Sequence, residues 1–162
     1  MSKVLVAYFS HSGNTRSIAE KIREQLNGDL FEIKTVNEYP VKYNLVVDQA
    51  KKEFVAQYKP QLVNSIENFN DYDIIVIGYP MWWYTCPMAI FSFLEQYDFT
   101  DKIILPFCTH EGSGLSTSVD DIKKLVSSAN VMKGLAIRGS KVEDSDKLID
   151  SWVSEILNES HS

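Results

Sequence analysis

The sequence predicts an α/β fold in which helices cover both faces of a parallel sheet. Five apolar segments alternate along the 162 residues with five segments of helical periodicity. The segments at residues 3–9 and 73–79 are apolar almost throughout, as strands buried on both faces are. Polar, aromatic or glycine-rich loops follow three of the five strands, and sheets of this kind bind their ligands at such carboxyl ends.

The first part of the chain is predicted to form a strand, a helix and a second strand. The strand at 3–9 leads into a helix at 14–27, and Asn27-Gly28 is a helix stop signal. Residues 29–36 alternate polar and apolar side chains, which predicts a second strand at or near the edge of the sheet.

The segment at 37–70 is longer than a usual crossover, so extra turns or irregular chain are expected within it. Apolar residues at near-helical spacing from Leu45 to Tyr58 predict a helix there. Lys59-Pro60 ends that helix, because proline cannot continue it. The third strand follows at 73–79.

The second half of the chain continues the alternation. A helix begins with Pro87 in its first turn and runs to Glu95. The remaining elements are a strand at 102–108, a helix at 116–127, a strand at 130–137 and a helix at 143–157. The closing helix carries its apolar face at Leu148, Trp152, Val153 and Ile156. No repeat or linker interrupts this order, so residues 1–162 are predicted to form a single domain.

Composition limits the class of protein. The formal net charge of -6, from 16 Lys plus Arg against 22 Asp plus Glu, argues against a nucleic-acid partner. No apolar run is long enough to span a membrane, and no signal peptide is recognisable, so a cytoplasmic location is expected. Cys86 and Cys108 show neither metal-ligand spacing nor a disulfide framework, so no metal site is predicted.

The first loop, Ser10–Arg16, joins a strand to the start of a helix. Unpaired N–H groups and the positive end of the helix dipole converge there, which favours an anion. The donors in this loop are Ser10, Ser12, Asn14 and Thr15, and Gly13 lets the backbone curl around a ligand. A cage of uncharged donors suits a terminal phosphate. The alternative is an ordinary N-capped helix, since the same residue types are favoured at caps.

Several other phosphate sites do not match the sequence. The first loop has neither the lysine of a nucleoside triphosphate loop nor the G-x-G-x-x-G of a dinucleotide fold. A tyrosine-phosphatase loop starting at Cys108 would need arginine where Gly114 stands. The acidic cluster of a response-regulator receiver is replaced by Ser10 and His11.

Two further loops follow the third and fourth strands. Residues 80–87 are aromatic, and residues 109–114 are rich in glycine and offer backbone amides. Right-handed crossovers bring the carboxyl ends of strands 1, 3 and 4 to one edge of the sheet. Large aromatic rings on a loop are unfavourable unless something flat covers them. A phosphate cage, an aromatic wall and a set of amides together fit flavin mononucleotide (FMN).

These loops also carry a resemblance to a known family. Ser10–Thr15 resembles the S-x-S-G-N-T phosphate loop of flavodoxins. Pro80–Tyr84 and Thr109–Gly114 resemble the P-x-W-W and T-x-x-G-S-G segments of a flavodoxin-like subfamily, and the match extends over essentially the whole chain. The resemblance implies a flavodoxin-like three-layer sandwich with a five-stranded parallel sheet of order 2-1-3-4-5, and FMN at the switch between strands 1 and 3.

The resemblance implies a binding role for each loop. The phosphate residues would be Ser10, Ser12, Gly13, Asn14 and Thr15. The residues flanking the flavin ring would be Pro80, Met81, Trp82, Trp83 and Tyr84. The residues on its other side and at its pyrimidine edge would be Thr109, His110, Gly112, Ser113 and Gly114. Typical carriers often have glycine in the second loop, so a peptide rotation there is expected to cost more in this chain.

Two functions are compatible with this site. The first is electron transfer between redox partner proteins through an exposed flavin edge, steered by an acidic rim. The expected rim residues are Glu95, Asp98, Asp101, Glu111, Asp120 and Asp121. The second is an FMN-dependent NAD(P)H oxidoreductase that acts on a quinone or a similar small acceptor. No catalytic residue is assigned. His110 is either an acid–base group or a hydrogen-bond donor, and Cys86 is either a reactive thiol at a helix start or a packed one.

Overall fold

The structure, a computed structural model, describes residues 3–160 of the chain. Within this range, six parallel strands form one sheet. They are β1 Val4–Tyr8, β2 Asp29–Glu32, β3 Ile74–Pro80, β4 Ile103–His110, β5 Asn130–Val131 and β6 Leu135–Arg138. The strand order is β2-β1-β3-β4-β5, with β6 also paired to β4. This confirms the predicted order 2-1-3-4-5.

Helices lie on both faces of the sheet, as predicted. They are α1 Asn14–Leu26, α2 Tyr43–Ala56, α3 Met88–Gln96, α4 Ser118–Leu125 and α5 Asp146–Ser160. Alternate residues of β1 separate the two faces: Leu5 and Ala7 pack in the cluster that contains α3, whereas Val6 and Tyr8 pack in the cluster that contains α1 and α5. No helix within residues 3–160 combines the length and the apolar character that crossing a membrane requires.

The predicted fifth strand, 130–137, is interrupted. β5 and β6 pair separately with β4, and Met132–Gly134 lie between them. Gly134 sits tightly against the first part of α4, since a Cβ there would lie 2.9 Å from Val119 Cγ2. The break between β5 and β6 therefore lies where Gly134 packs against α4.

The predicted second strand, 29–36, is also shorter in the parallel ladder. Its last residues turn to a different partner: Val36 N–H donates to the Gln61 carbonyl at 2.9 Å, and Thr35 forms an antiparallel bridge with Leu62. The closing helix begins at Asp146 rather than at 143, and Leu148 is 51% exposed, so the prediction that Leu148 faces the core is wrong. The side chain of Leu157 is outside the described residues.

Candidate functional site

A cavity of about 800 Å³ lies at the carboxyl edge of the sheet. This volume falls within the range of about 300–1,000 Å³ that is usual for small-molecule sites. The cavity is lined by His11, Ser12, Asn14, Tyr43, Val46, Val47, Ala50, Pro80, Met81, Trp82, Trp83, Tyr84, Thr109, His110, Glu111, Gly112 and Ser113. The loops after β1, β3 and β4 thus meet at one site, together with one wall from α2.

The first loop is shaped by Gly13, whose φ of 98° lies in the left-handed region. The Gly13 carbonyl accepts the first bond of α1, from Ser17 N–H at 3.0 Å. The Ser10 hydroxyl oxygen accepts from the N–H groups of Gly13 at 3.2 Å and Arg16 at 3.3 Å. Ser10 therefore caps the helix start, which was the alternative interpretation of this loop.

Capping by Ser10 leaves other donors of this loop free. Within residues 3–160, no protein acceptor pairs with the backbone N–H groups of Ser12, Asn14 and Thr15. Such groups at a helix N-terminus favour an anion. Arg16 does not supply a positive charge to the cavity, because its side chain is exposed and pairs with Glu20 at 3.2 Å. The donors of this loop are uncharged, as the sequence indicated.

Thr15 and Thr109 join the first loop to the strand that carries the third loop. Their hydroxyl oxygens lie 2.8 Å apart, and the residues are 2% and 5% exposed. One hydroxyl donates to the other, so the pair fixes the spacing between the two loops. Thr15 does not line the cavity, and neither do the predicted site residues Ser10, Gly13 and Gly114.

The second loop is a tight turn that starts at Trp82. Trp82 and Thr85 exchange both backbone hydrogen bonds, at 3.1 and 3.2 Å. The two residues between them, Trp83 and Tyr84, have φ values of 52° and 65°. This is the pattern of a type I′ turn, which normally takes Asn or Gly at both positions. Left-handed backbone costs about 1–2 kcal/mol for a residue with a side chain, so the turn stores strain at the cavity wall.

The three rings of this turn have different surroundings. Trp82 packs edge-on against three rings, with centroid distances of 5.4 Å to Phe9, 5.0 Å to Tyr39 and 6.0 Å to His11. Trp83 is held by α2: its indole N–H donates to the Val47 carbonyl at 3.1 Å, and Lys51 Nζ lies 5.2 Å from its ring. Tyr84 is 66% exposed and remains available to cover a ligand.

The third loop fixes the tautomer of His110. Its Nδ1 accepts the Gly112 N–H at 2.9 Å, so the ring hydrogen is on Nε2. Partial burial lowers the pKa of His110, the nearby Arg138 guanidinium lowers it further, and Glu111 opposes both effects. His110 is thus neutral at neutral pH and presents its Nε2–H as a hydrogen-bond donor at the cavity wall; which of the two expected roles it has stays a prediction.

Neither cysteine is a reactive thiol. Cys86 and Cys108 are 2% and 0% exposed. Burial raises the pKa of Cys108 to about 12 and raises the pKa of Cys86 further. Of the two alternatives for Cys86, the structure supports the packed thiol, because desolvation raises its pKa by more than the start of α3 would lower it.

The acidic residues do not form the expected rim. Asp98 and Asp101 precede β4, so they lie at the amino edge of the sheet, opposite the cavity. Glu95 forms an ion pair with Lys59, shortly after the end of α2. Asp121 accepts hydrogen bonds from Thr85 and Thr117. Of the six residues expected in the rim, Glu111 alone lines the cavity.

The wall from α2 was not predicted from the sequence. Tyr43, Val46, Val47 and Ala50 bring mainly apolar surface to the cavity. Spacing of three and four residues shows that these positions share one helix face. The spacing does not show that this helix face lies over the carboxyl edge of the sheet. The segment before α2 is held to the helix by Tyr39, whose hydroxyl donates to Glu53 Oε1 at 2.5 Å.

A doubly wound sheet of order 2-1-3-4-5, with a loop of unpaired N–H groups after its first strand and an aromatic loop after its third, is typical of the flavodoxin-like class of α/β proteins. A family model described as flavodoxin matches residues 3–156. The chain belongs to the flavodoxin family.

Individual relatives agree with this assignment. A flavodoxin of Haemophilus influenzae is 32% identical over 108 residues, which is 64% of this chain and 48% of the relative, so the match spans about half the length of that relative. A crystal structure of a Lactobacillus acidophilus flavoprotein in complex with FMN is 26% identical, with 89% of this chain and 98% of that chain covered and a TM-score of 0.75. A Bacteroides uniformis protein proposed to be a flavoprotein is 29% identical, with coverage of 92% and 98% and a TM-score of 0.82.

Proposed function

We propose that this chain binds FMN in the cavity at the carboxyl edge and transfers electrons through it between redox partners in the cytoplasm. One observation carries the proposal: the loop with unpaired N–H groups and the aromatic turn face the same cavity of about 800 Å³. The FMN complex of the Lactobacillus acidophilus flavoprotein supports the choice of ligand.

In this proposal, different residues bind the phosphate and the ring system of FMN. The first loop, through Ser12, Asn14 and Thr15, holds the phosphate by uncharged donors. Trp82 and Tyr84 flank the ring system, and His110 Nε2–H offers a hydrogen bond to one of its acceptors. FMN supplies the electron chemistry, whereas the chain binds it, orients it and limits its access to water.

Electron transfer to a partner protein is favoured over reduction of a dissolved substrate. Tyr43 and Tyr84 both line the cavity and are 78% and 66% exposed. Exposed apolar surface next to a binding site is typical of a docking surface. No lysine or arginine lines the cavity within residues 3–160, so a nicotinamide dinucleotide would find no cationic partner for its phosphates there.

The alternative, an NAD(P)H oxidoreductase, is supported by one feature. The wall of Val46, Val47 and Ala50 beside the aromatic turn is suited to a flat apolar acceptor such as a quinone. A carrier loaded with FMN is expected to oxidise NADPH or NADH negligibly with a quinone present. Rapid, quinone-dependent oxidation measured by absorbance would instead assign the reductase activity.

FMN binding is tested by fluorescence-quenching titration of the apoprotein. Ser12→Ala removes a hydroxyl from a residue that lines the cavity and is expected to weaken binding by about 0.5–1.5 kcal/mol. Thr15→Ala keeps the backbone N–H and removes only the hydroxyl that pairs with Thr109, so it is expected to act on the spacing of the two loops. Ser154→Ala on the exposed part of α5 is the matched control and should bind FMN as the unaltered chain does. If the unaltered chain does not quench FMN fluorescence, the proposed function is wrong.

A further inference from the structure

The aromatic turn Trp82–Thr85 is tied to α4 by a carboxylate. The Thr85 hydroxyl donates to Asp121 Oδ2 at 2.5 Å, and the Thr117 hydroxyl lies 3.0 Å from the same oxygen. Thr85 is 2% exposed, so water cannot replace Asp121 as the acceptor. Asp121 thus completes a contact that would otherwise leave a buried hydroxyl unpaired.

A second tie runs through Thr117, the residue that caps α4. Its backbone N–H and its hydroxyl oxygen lie 3.4 and 3.1 Å from the Tyr84 carbonyl oxygen. Asp121 N–H in turn donates to the Thr117 carbonyl at 2.9 Å. Tyr84, Thr85, Thr117 and Asp121 therefore form one connected group between the turn after β3 and the helix after β4.

These four residues contact the strained backbone of the aromatic turn. Trp83 and Tyr84 hold positive φ values that side chains disfavour, and such a conformation persists only when its surroundings impose it. The contact of Trp83 with α2 holds one side of the turn, and the Asp121 group holds the other. Loss of either tie lets the two residues relax toward ordinary backbone angles.

We propose that Asp121 is a positioning residue of the flavin site. It holds Thr85 and Thr117, and through them it keeps Trp83 and Tyr84 in the conformation that forms the cavity wall. It also makes the loops after β3 and β4 one rigid unit around the ring system. Asp121 thereby sets the affinity for FMN and the reduction potentials of the bound flavin. This inference rests on the proposed FMN site.

Four variants separate the effect of the hydrogen bond from that of the charge. Asp121→Ala removes both the acceptor and the charge. Asp121→Asn keeps an acceptor oxygen and loses the charge. Asp120→Ala removes an exposed charge one residue away on the same helix and is the matched control. Thr85→Val removes only the buried donor and serves as the second variant if Asp121→Ala does not fold.

The dissociation constant of FMN, the two one-electron potentials of the bound flavin and the tryptophan emission of the apoprotein are measured for each variant. Asp121→Ala and Thr85→Val are expected to weaken FMN about tenfold, shift the potentials and move the emission maximum to longer wavelength. Asp121→Asn should restore most of the affinity, and Asp120→Ala should match the unaltered chain.

Two results would overturn the inference. One is unchanged affinity and potentials in both Asp121→Ala and Thr85→Val. The other is an Asp121→Asn variant as impaired as Asp121→Ala, which would assign the effect to charge. Both differ from failure of the proposed function, in which the unaltered chain itself takes up no FMN.

Discussion

At the scale of single residues, Glu111 places a carboxylate beside the loop proposed to hold the phosphate. A Cβ on Gly139 would lie 2.3 Å from Glu111 Oε1 and 3.1 Å from Asn14 Nδ2, so these two atoms are close neighbours. A phosphate group carries a charge of about -1.5 to -2 at neutral pH. The carboxylate is therefore expected to repel the phosphate that this loop is proposed to bind.

Replacing Glu111 by glutamine is expected to tighten FMN binding. Glu111 is exposed, so solvent screens the repulsion. A screened interaction of about 0.2–1 kcal/mol corresponds to binding about 1.4- to 5-fold tighter. The measurement is the FMN dissociation constant at low and high salt, and the gain should shrink as salt increases. Glu67→Gln, before β3 at the opposite edge, is the control. Unchanged affinity at low salt would remove Glu111 from the phosphate environment.

The sequence located some features of the first loop and missed others. The uncharged donors and Gly13 could be recognised because a strand, a polar loop and a helix start are local features. The pairing of Thr15 with Thr109 could not, because those residues are 94 positions apart and meet only when β1 and β4 lie in one sheet. Burial of Cys86, which raises the pKa of its thiol, likewise depends on the packing of several elements.

At the scale of elements, Gly78 allows β3 to pack closely beneath Phe107 of β4. Gly78 is paired with Tyr8 on one side and with Phe107 on the other, and both aromatic residues are buried. A Cβ on Gly78 would lie 2.0 Å from Phe107 Cζ. The ring therefore occupies the space that any larger residue would need.

Gly78→Ala is expected to destabilise the fold by about 1–3 kcal/mol, because the core must shift to admit the methyl group. Phe107→Leu should also destabilise it, by leaving space unfilled. The double variant should lose less than the two single variants together, since the smaller side chain makes room for the methyl group. Denaturant unfolding of the four proteins gives the coupling free energy. Strictly additive effects would contradict the contact between Gly78 and Phe107.

The elements themselves were largely predictable, and the departures have physical causes. Apolar periodicity located the helices and the central strands because those segments are long and buried. The break between β5 and β6 depends on Gly134 meeting α4, and the end of β2 depends on residues 61–63 supplying a second partner. Such contacts between distant segments leave no local pattern in the sequence. The position of the α2 wall escaped prediction for the same reason.

At the scale of the whole molecule, three loops and one helix face form the site, and the sheet holds them in place. The loops were predicted to meet because parallel strands share a carboxyl edge. The site therefore exists only in the folded chain, and a ligand that binds there must stabilise the fold. A ligand bound only by the folded state adds about 2.7 kcal/mol at 100 times its dissociation constant.

This linkage tests the phosphate site and the ring site separately. FMN at 100 times its dissociation constant is expected to raise the Tm by about 5–10 °C, since about 1 kcal/mol corresponds to about 2–4 °C in a domain of this size. Riboflavin has the same ring system and no phosphate. At equal concentration it should raise the Tm much less, because the free N–H groups of Ser12, Asn14 and Thr15 then remain without an anion. Ser12→Ala, which removes a hydroxyl from a residue that lines the cavity, should narrow the gap in Tm between the two ligands. Equal stabilisation by riboflavin and FMN would show that the first loop does not bind the phosphate, while leaving the aromatic turn as the ring site.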